Sequence, residues 1–575
     1  MNRQPPANYA RNGRRNFILG VLYLLLAVLV VRAAWLQLVS DRYLQEQGKA
    51  RYLRSVKIVA TRGMVLDRNE KPLAISTPVD SVWINPTEFE IDQDRWQELE
   101  KALSITADEL TQGLEKYAGK EFMYVKRQLS PQEAAAIQDL DLKGVYLQRE
   151  YKRYYPTGMV TAHVIGITNL EGQGQEGVEL RFNAHLSGED GKKIILRDLY
   201  GRAVENVERL KDVREGKNLQ LSIDSRIQYL AYRELKKAVL EHRAEGGSAV
   251  VLSARSGEIL AMVNEPVFNP NNRRSLGKNN LRNRAVTDVF EPGSTIKPFT
   301  MALALQNGIV GPDSKIDTNP GYLPIGRYTI HDTRNYGMLT ASRVLVKSSN
   351  VGTAKIALQM PAEELWSLLS RVGFGQSTDI GFPGETSGNL RARQRWPRID
   401  HATLSYGYGL SATTLQLARA YMVLANNGYL VPVSLLTRQD KPIQTRVLPE
   451  KIVGQIRQML FMAASKQGTA PLAQVAQYTV AGKTGTVHLS EKGGYAEDRY
   501  ASVFAGFAPA SDPQLVMAVM INEPGEDRYY GGQVAAPVFS RVMAGALRLL
   551  NIPPDKILSA PKAAARQATR KGVAG

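Results

Sequence analysis

The sequence predicts an α+β protein whose main domain contains a five-stranded, mostly antiparallel sheet. Two strands are predicted at residues 247–252 and 258–263, and three more at residues 478–487, 501–507 and 515–521. The residues between the two groups are predicted to be mainly helical. Strands from the two ends of one domain therefore bracket a helical middle that packs beside the sheet.

An amphipathic helix precedes the first strand, and another follows the last one. Their apolar residues recur at helical spacing, as Ile227, Leu230, Ala231, Leu235, Ala238 and Val239 in the first and Val538, Phe539, Val542, Met543, Ala546, Leu547 and Leu550 in the second. The main domain is accordingly predicted at residues 219–555. The alanine-rich, basic residues 556–575 are predicted to be a disordered tail.

A long apolar segment near the N-terminus predicts one transmembrane helix. Residues 17–31 are an unbroken apolar run, which Arg32 separates from a second apolar piece at residues 33–39. A bilayer core needs about 20 helical residues, so residues 17–39 are long enough to span it. A cleaved signal peptide is the alternative, but no A-x-A-like site follows cleanly and the apolar character resumes after Arg32.

Positive charge predicts the orientation of this helix. The cytoplasmic end of a span carries an excess of lysine and arginine. Four arginines precede the apolar run: Arg3, Arg11, Arg14 and Arg15. Residues 1–16 are therefore expected in the cytoplasm, and everything beyond about residue 40 is expected outside it.

Residues 40–218 form a polar, mixed module with one helix-like stretch at 96–117 and no dense core pattern. Gly172, Gly174 and Gly177 fit the dinucleotide motif G-x-G-x-x-G after a strand-like piece at 164–167, but no alternation of strands and helices surrounds them, so loop glycines are the favoured explanation.

Farther along the chain, residues 482–484 resemble the end of a phosphate-binding P-loop. Gln477 stands where that motif needs its first glycine, so the P-loop is excluded.

The composition excludes several kinds of chemistry. The 575 residues include no cysteine, which excludes disulfides, cysteine nucleophiles and thiolate metal sites. No metal or cofactor is predicted, because the six histidines show no H-x-x-x-H spacing: His163, His185, His242, His331, His401 and His488. The net charge of +18 is not accompanied by a nucleic-acid-binding signature, so an anionic cell-wall polymer or lipid headgroups are the expected partners of that charge.

Three short motifs, in order along the chain, predict a serine nucleophile. Ser294-x-x-Lys297 places an amine and a hydroxyl on one face of a helix, and Pro292-Gly293 marks its start. Ser348-Ser349-Asn350 and then Lys483-Thr484-Gly485, on a predicted strand, complete the set. A single S-x-x-K is common on solvated surfaces, but all three motifs in this order are typical of penicillin-binding proteins and class A β-lactamases.

The residue types fit acyl transfer. A serine hydroxyl needs a neighbour that accepts its proton. A lysine can act as that proton acceptor only when its pKa falls from about 10.4 toward 7 or 8, a change that corresponds to about 4 kcal/mol. Burial and a second cation nearby, such as Lys483, can supply that shift. Ser348 can pass protons between Lys297 and a leaving amine, and Asn350 can hold both a substrate amide and Lys297. Lys483 can bind a substrate carboxylate together with Thr484 and Thr486. Ser349 and Gly485 are also predicted to bind substrate. The backbone N–H groups of Ser294 and Thr486 are the predicted oxyanion hole.

Beyond these motifs, the chain resembles the class B penicillin-binding proteins over nearly its whole length, and most closely the division-specific, penicillin-binding protein 3 type. The matching pieces are RGMVLDRN at residues 62–69, RYYP at 153–156, SYGYGL at 405–410 and YYGGQVAAPVF at 529–539. The last two favour the division type over the elongation type. The resemblance implies a penicillin-binding, β-lactamase-like transpeptidase domain on an N-terminal pedestal of the dimerisation type.

The resemblance also implies a function. The implied activity is that of a D,D-transpeptidase that cross-links peptidoglycan stem peptides at the septum. In such an enzyme Ser294 would attack the penultimate D-Ala carbonyl, and β-lactams would acylate Ser294. It implies a catalytic domain in the periplasm, an anchor in the bacterial inner membrane, and a polytopic division glycosyltransferase and other divisome proteins as partners. The alternatives are an elongation-type transpeptidase, a membrane-bound β-lactamase, which the anchor and the long N-terminal module disfavour, and a β-lactam sensor, which the intact motif set disfavours.

Overall fold

The structure, a computed structural model, describes residues 9–38, 53–92, 95–197, 203–272, 274, 276–277, 280–491, 494–525 and 528–556. Among these residues, those up to 61 and those at 188–216 form one compact unit, and the remainder form a second. The disordered tail predicted at residues 556–575 lies outside the described residues, except for Lys556.

The first unit contains the predicted transmembrane segment as a single helix, Tyr9–Leu38. Its stretch Gly13–Gln37 is the one helix in the described part of the chain that is long and apolar enough to cross a bilayer. Val39, the last residue of the predicted span, lies outside the described residues. The unit also contains a three-stranded antiparallel sheet of Leu53–Ile58, Gly191–Arg197 and Ala203–Lys211, with Gly191–Arg197 in the centre.

The N-terminal part of the second unit has its own sheet and core. Its longest strand, Pro72–Ile84, pairs antiparallel with Val65–Leu66, Met123–Leu129 and Val145–Tyr154, and Val65–Leu66 pairs in parallel with Leu219–Gln220. The helices Trp96–Leu103, Ala107–Lys116 and Pro131–Asp139 pack with this sheet around a buried apolar cluster, which includes Val82, Ile84, Leu99, Leu103, Leu110 and Ile137. The expectation of no dense core in this module was therefore wrong. Each short helix supplies only one or two fully buried residues, which is too sparse a pattern to stand out in the sequence.

The prediction of one helix-like element at residues 96–117 was also wrong, because these residues form two helices. Ser104 adopts a left-handed conformation at φ 54° and ends the first helix. Thr106 caps the second: its hydroxyl accepts the Glu109 N–H at 3.3 Å, and the Glu109 carboxylate accepts the Thr106 N–H at 3.1 Å. This reciprocal capping box was readable in the sequence as Thr-x-x-Glu.

A buried ion-pair triad joins two of the pieces that carried the family resemblance. Glu179, fully buried, accepts from Arg62 Nε and from Arg153 Nε, each at 2.7 Å. Arg62 also donates to Asn183 Oδ1 at 2.8 Å and to Ser187 Oγ at 2.7 Å. Burying a charge is costly unless it is paired and hydrogen-bonded, so the two arginines need this glutamate.

The strand predicted at residues 164–167 is absent, because Ala162–Ile165 forms a short helix. The glycines beyond it are explained by close backbone packing rather than by a ligand. A Cβ on Gly174 would lie 1.9 Å from the Glu179 carbonyl oxygen, and Gly177 has φ +62°. Both positions therefore require glycine for steric reasons.

The main domain contains the predicted five-stranded sheet, and all its pairings are antiparallel. The order across the sheet is Ile259–Glu265, Gly246–Ser253, Leu515–Asn522, Gly494–Ala508 and Ala481–Glu491. The strand expected from residue 478 begins at Ala481, and the strand expected from residue 501 begins at Gly494. The extra residues at 494–500 form a polar hairpin arm with the end of Ala481–Glu491, which periodicity did not reveal.

Helices cover both faces of this sheet. The two predicted terminal helices, Ser225–Glu241 and Ala535–Leu549, pack on one face around Leu235, Val251, Phe504 and Phe539. On the other face lies Thr414–Ala425, whose twelve residues are all buried. The middle also contains the helices Arg284–Thr287, Lys297–Gln306, Ala341–Lys347, Asn350–Ala357, Ala362–Arg371, Arg398–Leu404 and Glu450–Ala463. Two small antiparallel strand pairs, Lys315–Asp317 with Met338–Thr340 and Tyr429–Leu430 with Thr445–Arg446, and one hairpin, Tyr322–Ile325 with Tyr328–His331, lie among them.

Candidate active site

Ser294 lies on a tight helical turn that leads into a buried helix. The turn is Gly293–Ile296, and the α-helix proper begins at Lys297 and runs to Gln306. The Ser-x-x-Lys pair thus straddles the junction of the two elements. Ser294 is partly exposed, whereas Lys297 is 1% exposed. The serine therefore faces the surface while the amine lies inside.

The Lys297 amine is held by the second motif. Its Nζ donates to the Ser348 carbonyl oxygen at 2.6 Å, to Asn350 Oδ1 at 2.7 Å and to Ser348 Oγ at 3.2 Å. No hydrogen bond of the Ser294 hydroxyl occurs among the residues that the structure describes. The amine is thus positioned by the Ser348–Asn350 segment, and the Ser294 hydroxyl remains available for other contacts.

The third motif reaches the same hydroxyl from the other side. Lys483 lies on Ala481–Glu491, which is the edge strand of the main sheet, and its Nζ donates to Ser348 Oγ at 2.9 Å. Ser348 itself has a left-handed backbone conformation, φ 61° and ψ 35°, at the end of the helix Ala341–Lys347. One hydroxyl therefore bridges two lysines, and a hydroxyl that can both donate and accept can relay a proton between them.

The two amines repel one another in a dry environment. Burial lowers the pKa of Lys297 well below its usual value, the charge of Lys483 lowers it further, and Asp332 acts in the opposite direction. Burial also lowers the pKa of Lys483 to about 7. Both shifts favour the neutral amine, which is the form that can accept a proton from a serine hydroxyl.

Glycine allows the three motifs to come this close. A Cβ on Gly485 would lie 2.9 Å from the Pro292 carbonyl oxygen, so only glycine lets the edge strand approach the turn that carries Ser294. Gly407, from the SYGYGL segment, has φ +91° and would place a Cβ 2.0 Å from the Gly293 carbonyl oxygen. The Gly293 N–H donates to the Gly407 carbonyl at 3.1 Å, which fixes the turn from its other side.

The two predicted carboxylate-binding threonines lie on one face of the edge strand, because they are two residues apart. Thr484 Oγ1 is 2.8 Å from Thr469 Oγ1, and Thr486 Oγ1 accepts the Gly531 N–H at 3.0 Å. A hydroxyl that accepts one hydrogen bond keeps its own proton, so Thr486 retains a donor for a substrate carboxylate.

Ser349 differs from the other residues predicted to bind substrate, because its side chain is fully buried. Its hydroxyl donates to Asp332 Oδ2 at 2.5 Å and accepts the Gly352 N–H at 2.8 Å. It therefore caps the helix Asn350–Ala357 rather than facing a ligand, and the geometry favours a positioning role.

Asp332 is a site residue that the sequence analysis missed. Its Oδ1 accepts the N–H groups of Asn350 at 2.5 Å and of Val351 at 3.0 Å, beside the bond from Ser349 to its other oxygen. A carboxylate at a helix N-terminus is well placed to satisfy unpaired N–H groups. Asp332 therefore positions the segment that binds the Lys297 amine. No short sequence motif around Asp332 indicates this positioning role.

Glu291 was missed as well. Its Oε1 accepts the Gly409 N–H at 2.8 Å and the Tyr495 hydroxyl at 3.2 Å, and burial raises its pKa above the usual value. It thus ties the segment before Ser294 to SYGYGL and to the hairpin arm. In the ranges that the structure describes, no group of three or more His, Asp or Glu side chains is arranged to hold a metal ion.

Two family models match this chain. Residues 247–544 match the penicillin-binding protein transpeptidase domain, and residues 57–221 match the penicillin-binding protein dimerisation domain. The two matched regions follow one another along the chain and together span more than half of it.

Relatives over the full length are peptidoglycan enzymes by name. The chain is 44% identical over 558 residues to the probable peptidoglycan D,D-transpeptidase PbpC of Pseudomonas aeruginosa, covering 96% of this chain and 99% of the relative. It is 43% identical over 549 residues to the peptidoglycan D,D-transpeptidase FtsI of Escherichia coli K12, covering 94% and 93% respectively.

Solved structures agree with these matches. The transpeptidase domain of penicillin-binding protein 3 from Burkholderia pseudomallei is 42% identical, covers 59% of this chain and 98% of its own, and superposes with a TM-score of 0.55. Penicillin-binding protein 3 from Mycobacterium tuberculosis, solved with aztreonam, is 28% identical, covers 87% of this chain and 98% of its own, and superposes with a TM-score of 0.67.

Proposed function

Because this chain belongs to the class B penicillin-binding proteins, we propose that Ser294 is the nucleophile of its reaction and that Lys297, Ser348, Asn350 and Lys483 assist it. The chain is a division-type peptidoglycan D,D-transpeptidase, an acyl-transfer enzyme that acts on stem peptides. The observation that carries the residue assignment is the hydrogen-bonded set in which both lysines meet Ser348 Oγ, because one of them, Lys297, lies one turn beyond Ser294.

The first half of the proposed reaction forms an ester. The Ser294 oxygen attacks the carbonyl carbon of the penultimate D-Ala while neutral Lys297 takes the hydroxyl proton. The peptide C–N bond then breaks, and the terminal D-Ala leaves with a proton delivered through Ser348, which hydrogen-bonds Lys297. In the second half, the amine of a neighbouring stem peptide attacks the ester, forms the cross-link and returns the proton to Ser294.

The remaining groups bind and stabilise. Lys483 with the hydroxyls of Thr484 and Thr486 holds the terminal carboxylate of the donor, and a bound carboxylate stabilises the charged form of Lys483. In this proposal the backbone N–H groups of Ser294 and Thr486 bind the oxyanion that forms during attack. Gly485, which lets the edge strand approach the turn that carries Ser294, supports it. Asn350 orients the donor amide while its side-chain oxygen keeps Lys297 in place.

The test of this function separates a transpeptidase from a β-lactamase, since both acylate a serine. We expect the protein to retain one covalent equivalent of fluorescent penicillin, to turn over nitrocefin only slowly, and to form cross-links when given un-cross-linked peptidoglycan strands and an amine acceptor. Gel fluorescence, absorbance and muropeptide chromatography measure the three. Rapid nitrocefin turnover with no cross-links would support the β-lactamase alternative instead.

We further propose the layout around this chemistry. Residues 40–218 are the pedestal, residues 219–555 are the transpeptidase domain, and the helix Tyr9–Leu38 anchors both in the bacterial inner membrane. The N-terminus is cytoplasmic and the catalytic domain is periplasmic. A polytopic division glycosyltransferase supplies the glycan strands, and other divisome proteins bring the two enzymes together.

The proposed topology predicts the behaviour of fusions and washes. Alkaline phosphatase fused after Leu53 is expected to be active, because the arginines before the apolar run keep the other end of the helix inside. The full-length protein is expected to stay with membranes after a carbonate wash, because a spanning helix is retained when electrostatic contacts are lost. Release by that wash, or a mature N-terminus beyond Arg32, would mean that the segment is a cleaved signal peptide.

A further inference from the structure

One surface segment concentrates positive charge without a role in the chemistry above. Residues 389–398, which we call the arginine loop, contain four exposed arginines within eight positions: Arg391, Arg393, Arg395 and Arg398. Arg393 pairs with Asp400 at 2.9 Å and lies over the Trp396 ring. The other three form no ion pair with the residues that the structure describes.

The arginine loop is fixed at its base. Asn389 and Ser411 exchange backbone hydrogen bonds in both directions, each at 2.9 Å. The Trp366 indole donates to the Leu390 carbonyl at 3.3 Å, and Leu390 and Trp396 both pack on the main apolar core. The guanidinium groups are therefore displayed from an anchored backbone, which reduces the entropy lost when they bind a ligand.

The arginine loop is connected to the turn that carries Ser294 through one short helix. It leads directly into the helix Arg398–Leu404, which at 1.5 Å per residue is about 10 Å long. That helix ends just before Gly407, whose carbonyl accepts the Gly293 N–H at 3.1 Å. The same helix packs, through Ala402, against Ile325 and Ile330 of the neighbouring hairpin.

The hairpin adds charge of the same sign. Arg327 at its turn and Arg334 just after it are exposed, and neither forms an ion pair with described residues. The acid between them, Asp332, is already occupied by three hydrogen bonds within the site. Exposed arginines are therefore present both in the arginine loop and on the hairpin that leads to Asp332.

We propose that the arginine loop binds carboxylates of the peptidoglycan strand whose stem peptide is acylated at Ser294. This inference rests on the proposed function. Every stem peptide that is not yet cross-linked ends in a carboxylate, so a strand that offers one peptide to Ser294 brings further carboxylates alongside. The planar guanidinium group matches a carboxylate with two parallel hydrogen bonds. An exposed pair is weak alone, but several along one strand act together.

The repeated carboxylates favour the substrate strand over an acidic segment of a partner protein, because one short helix links the loop to the site where strands must already be bound. A strand held near Ser294 needs no new partner to explain the charge. The acidic-protein alternative is therefore an outcome of the test rather than a second proposal.

The test measures strand binding with the catalytic serine blocked. Full-length protein, first acylated with penicillin, is mixed with fluorescent un-cross-linked strands and with the same strands after their carboxylates have been converted to amides. We expect salt-sensitive binding of the intact strands only, because exposed charges are screened by salt. The triple variant Arg391→Gln, Arg395→Gln, Arg398→Gln is expected to bind about tenfold less tightly, as for loss of electrostatic attraction. The triple variant Lys116→Gln, Lys441→Gln, Lys451→Gln loses the same charge at exposed positions elsewhere and is expected to bind normally.

The outcomes separate this proposal from the proposed function. Penicillin labelling of unblocked wild-type protein tests Ser294, whereas strand binding tests the arginine loop. Unchanged strand binding by the arginine variant overturns the proposal, and if that variant loses binding to poly-glutamate, the acidic-protein alternative replaces it. Should the triple glutamine variant fail to label with penicillin, the single variants Arg391→Gln, Arg395→Gln and Arg398→Gln decide: weaker strand binding by single variants that still label supports the proposal, and unchanged binding by all three overturns it.

Discussion

Complete loss of covalent penicillin labelling is the expected result of the substitution Ser294→Ala. The side chain that forms the ester is removed, and the other hydroxyls in the site are already hydrogen-bonded. Ser348 Oγ lies between two lysines, and Ser349 Oγ is buried against Asp332. No neighbouring serine is therefore both free and exposed enough to replace it. Labelling with fluorescent penicillin measures the effect directly.

The matched control for this substitution is Ser387→Ala, which removes an exposed serine hydroxyl far from the three motifs in sequence. It is expected to label as wild type. Circular dichroism and thermal unfolding of both variants establish that the loss of labelling does not come from loss of the fold. Persistent labelling of a folded Ser294→Ala protein would contradict the assignment of the nucleophile.

The two lysines are expected to respond differently to the same substitution. Lys297→Arg is expected to reduce the acylation rate at least about a thousandfold, because a guanidinium stays protonated and removes general-base catalysis. Lys483→Arg keeps a positive group at the carboxylate site, and we expect acylation to fall by about ten- to a hundredfold, roughly 1.4 to 2.8 kcal/mol. Stopped-flow acylation with a fluorescent β-lactam measures both rates.

The pH dependence of the acylation rate tests the roles of Lys297 and Lys483 independently. In the wild type, acylation is expected to rise with pH as Lys297 loses its proton, because only the neutral amine accepts a proton from Ser294. Burial and the nearby Lys483 lower the pKa of Lys297, which moves this rise toward neutral pH. In Lys297→Arg the rise is expected to vanish, whereas Lys483→Arg is expected to keep it. Equal and complete loss of acylation in both variants would contradict this division of labour.

The sequence predicted the site largely because each motif is contained in one local element. Ser294 with Lys297, Ser348 with Asn350, and Lys483 with its neighbours on a strand each occupy a few consecutive residues. Their association was inferred from the family pattern and not from spacing. Lys297 and Ser348 are 51 residues apart and Ser348 and Lys483 are 135 apart, so only tertiary packing brings them together.

The residues that sequence reasoning missed act through such packing alone. Asp332 has no motif around it, and its role comes from a loop that folds back on the start of the helix Asn350–Ala357. Ser349, which stands between Ser348 and Asn350, was grouped with the substrate-binding residues. Its position as a helix cap, with its hydroxyl turned inward, depends on where that helix begins.

The fold, like the site, was predicted where the sequence pattern is local and strong, and was missed elsewhere. Strong periodicity and long apolar runs predicted the five-stranded sheet and its two terminal helices, because each buries a continuous face. The pedestal core escaped detection because short helices bury only a residue or two each, as Leu110 does in Ala107–Lys116. The break at Ser104 depends on one left-handed residue, which hydrophobic pattern alone does not reveal.

The most direct test of the central claim is to map the acyl group that a stem peptide leaves on the enzyme. The protein is mixed briefly with a soluble peptide ending in D-Ala-D-Ala, quenched in acid, digested and analysed by mass spectrometry. We expect one adduct, with the mass of the donor less its terminal D-Ala, on the peptide that contains Ser294, and we expect an amine acceptor to remove it as the cross-linked product appears. An adduct on another peptide, or one that persists in Ser294→Ala, would contradict the account.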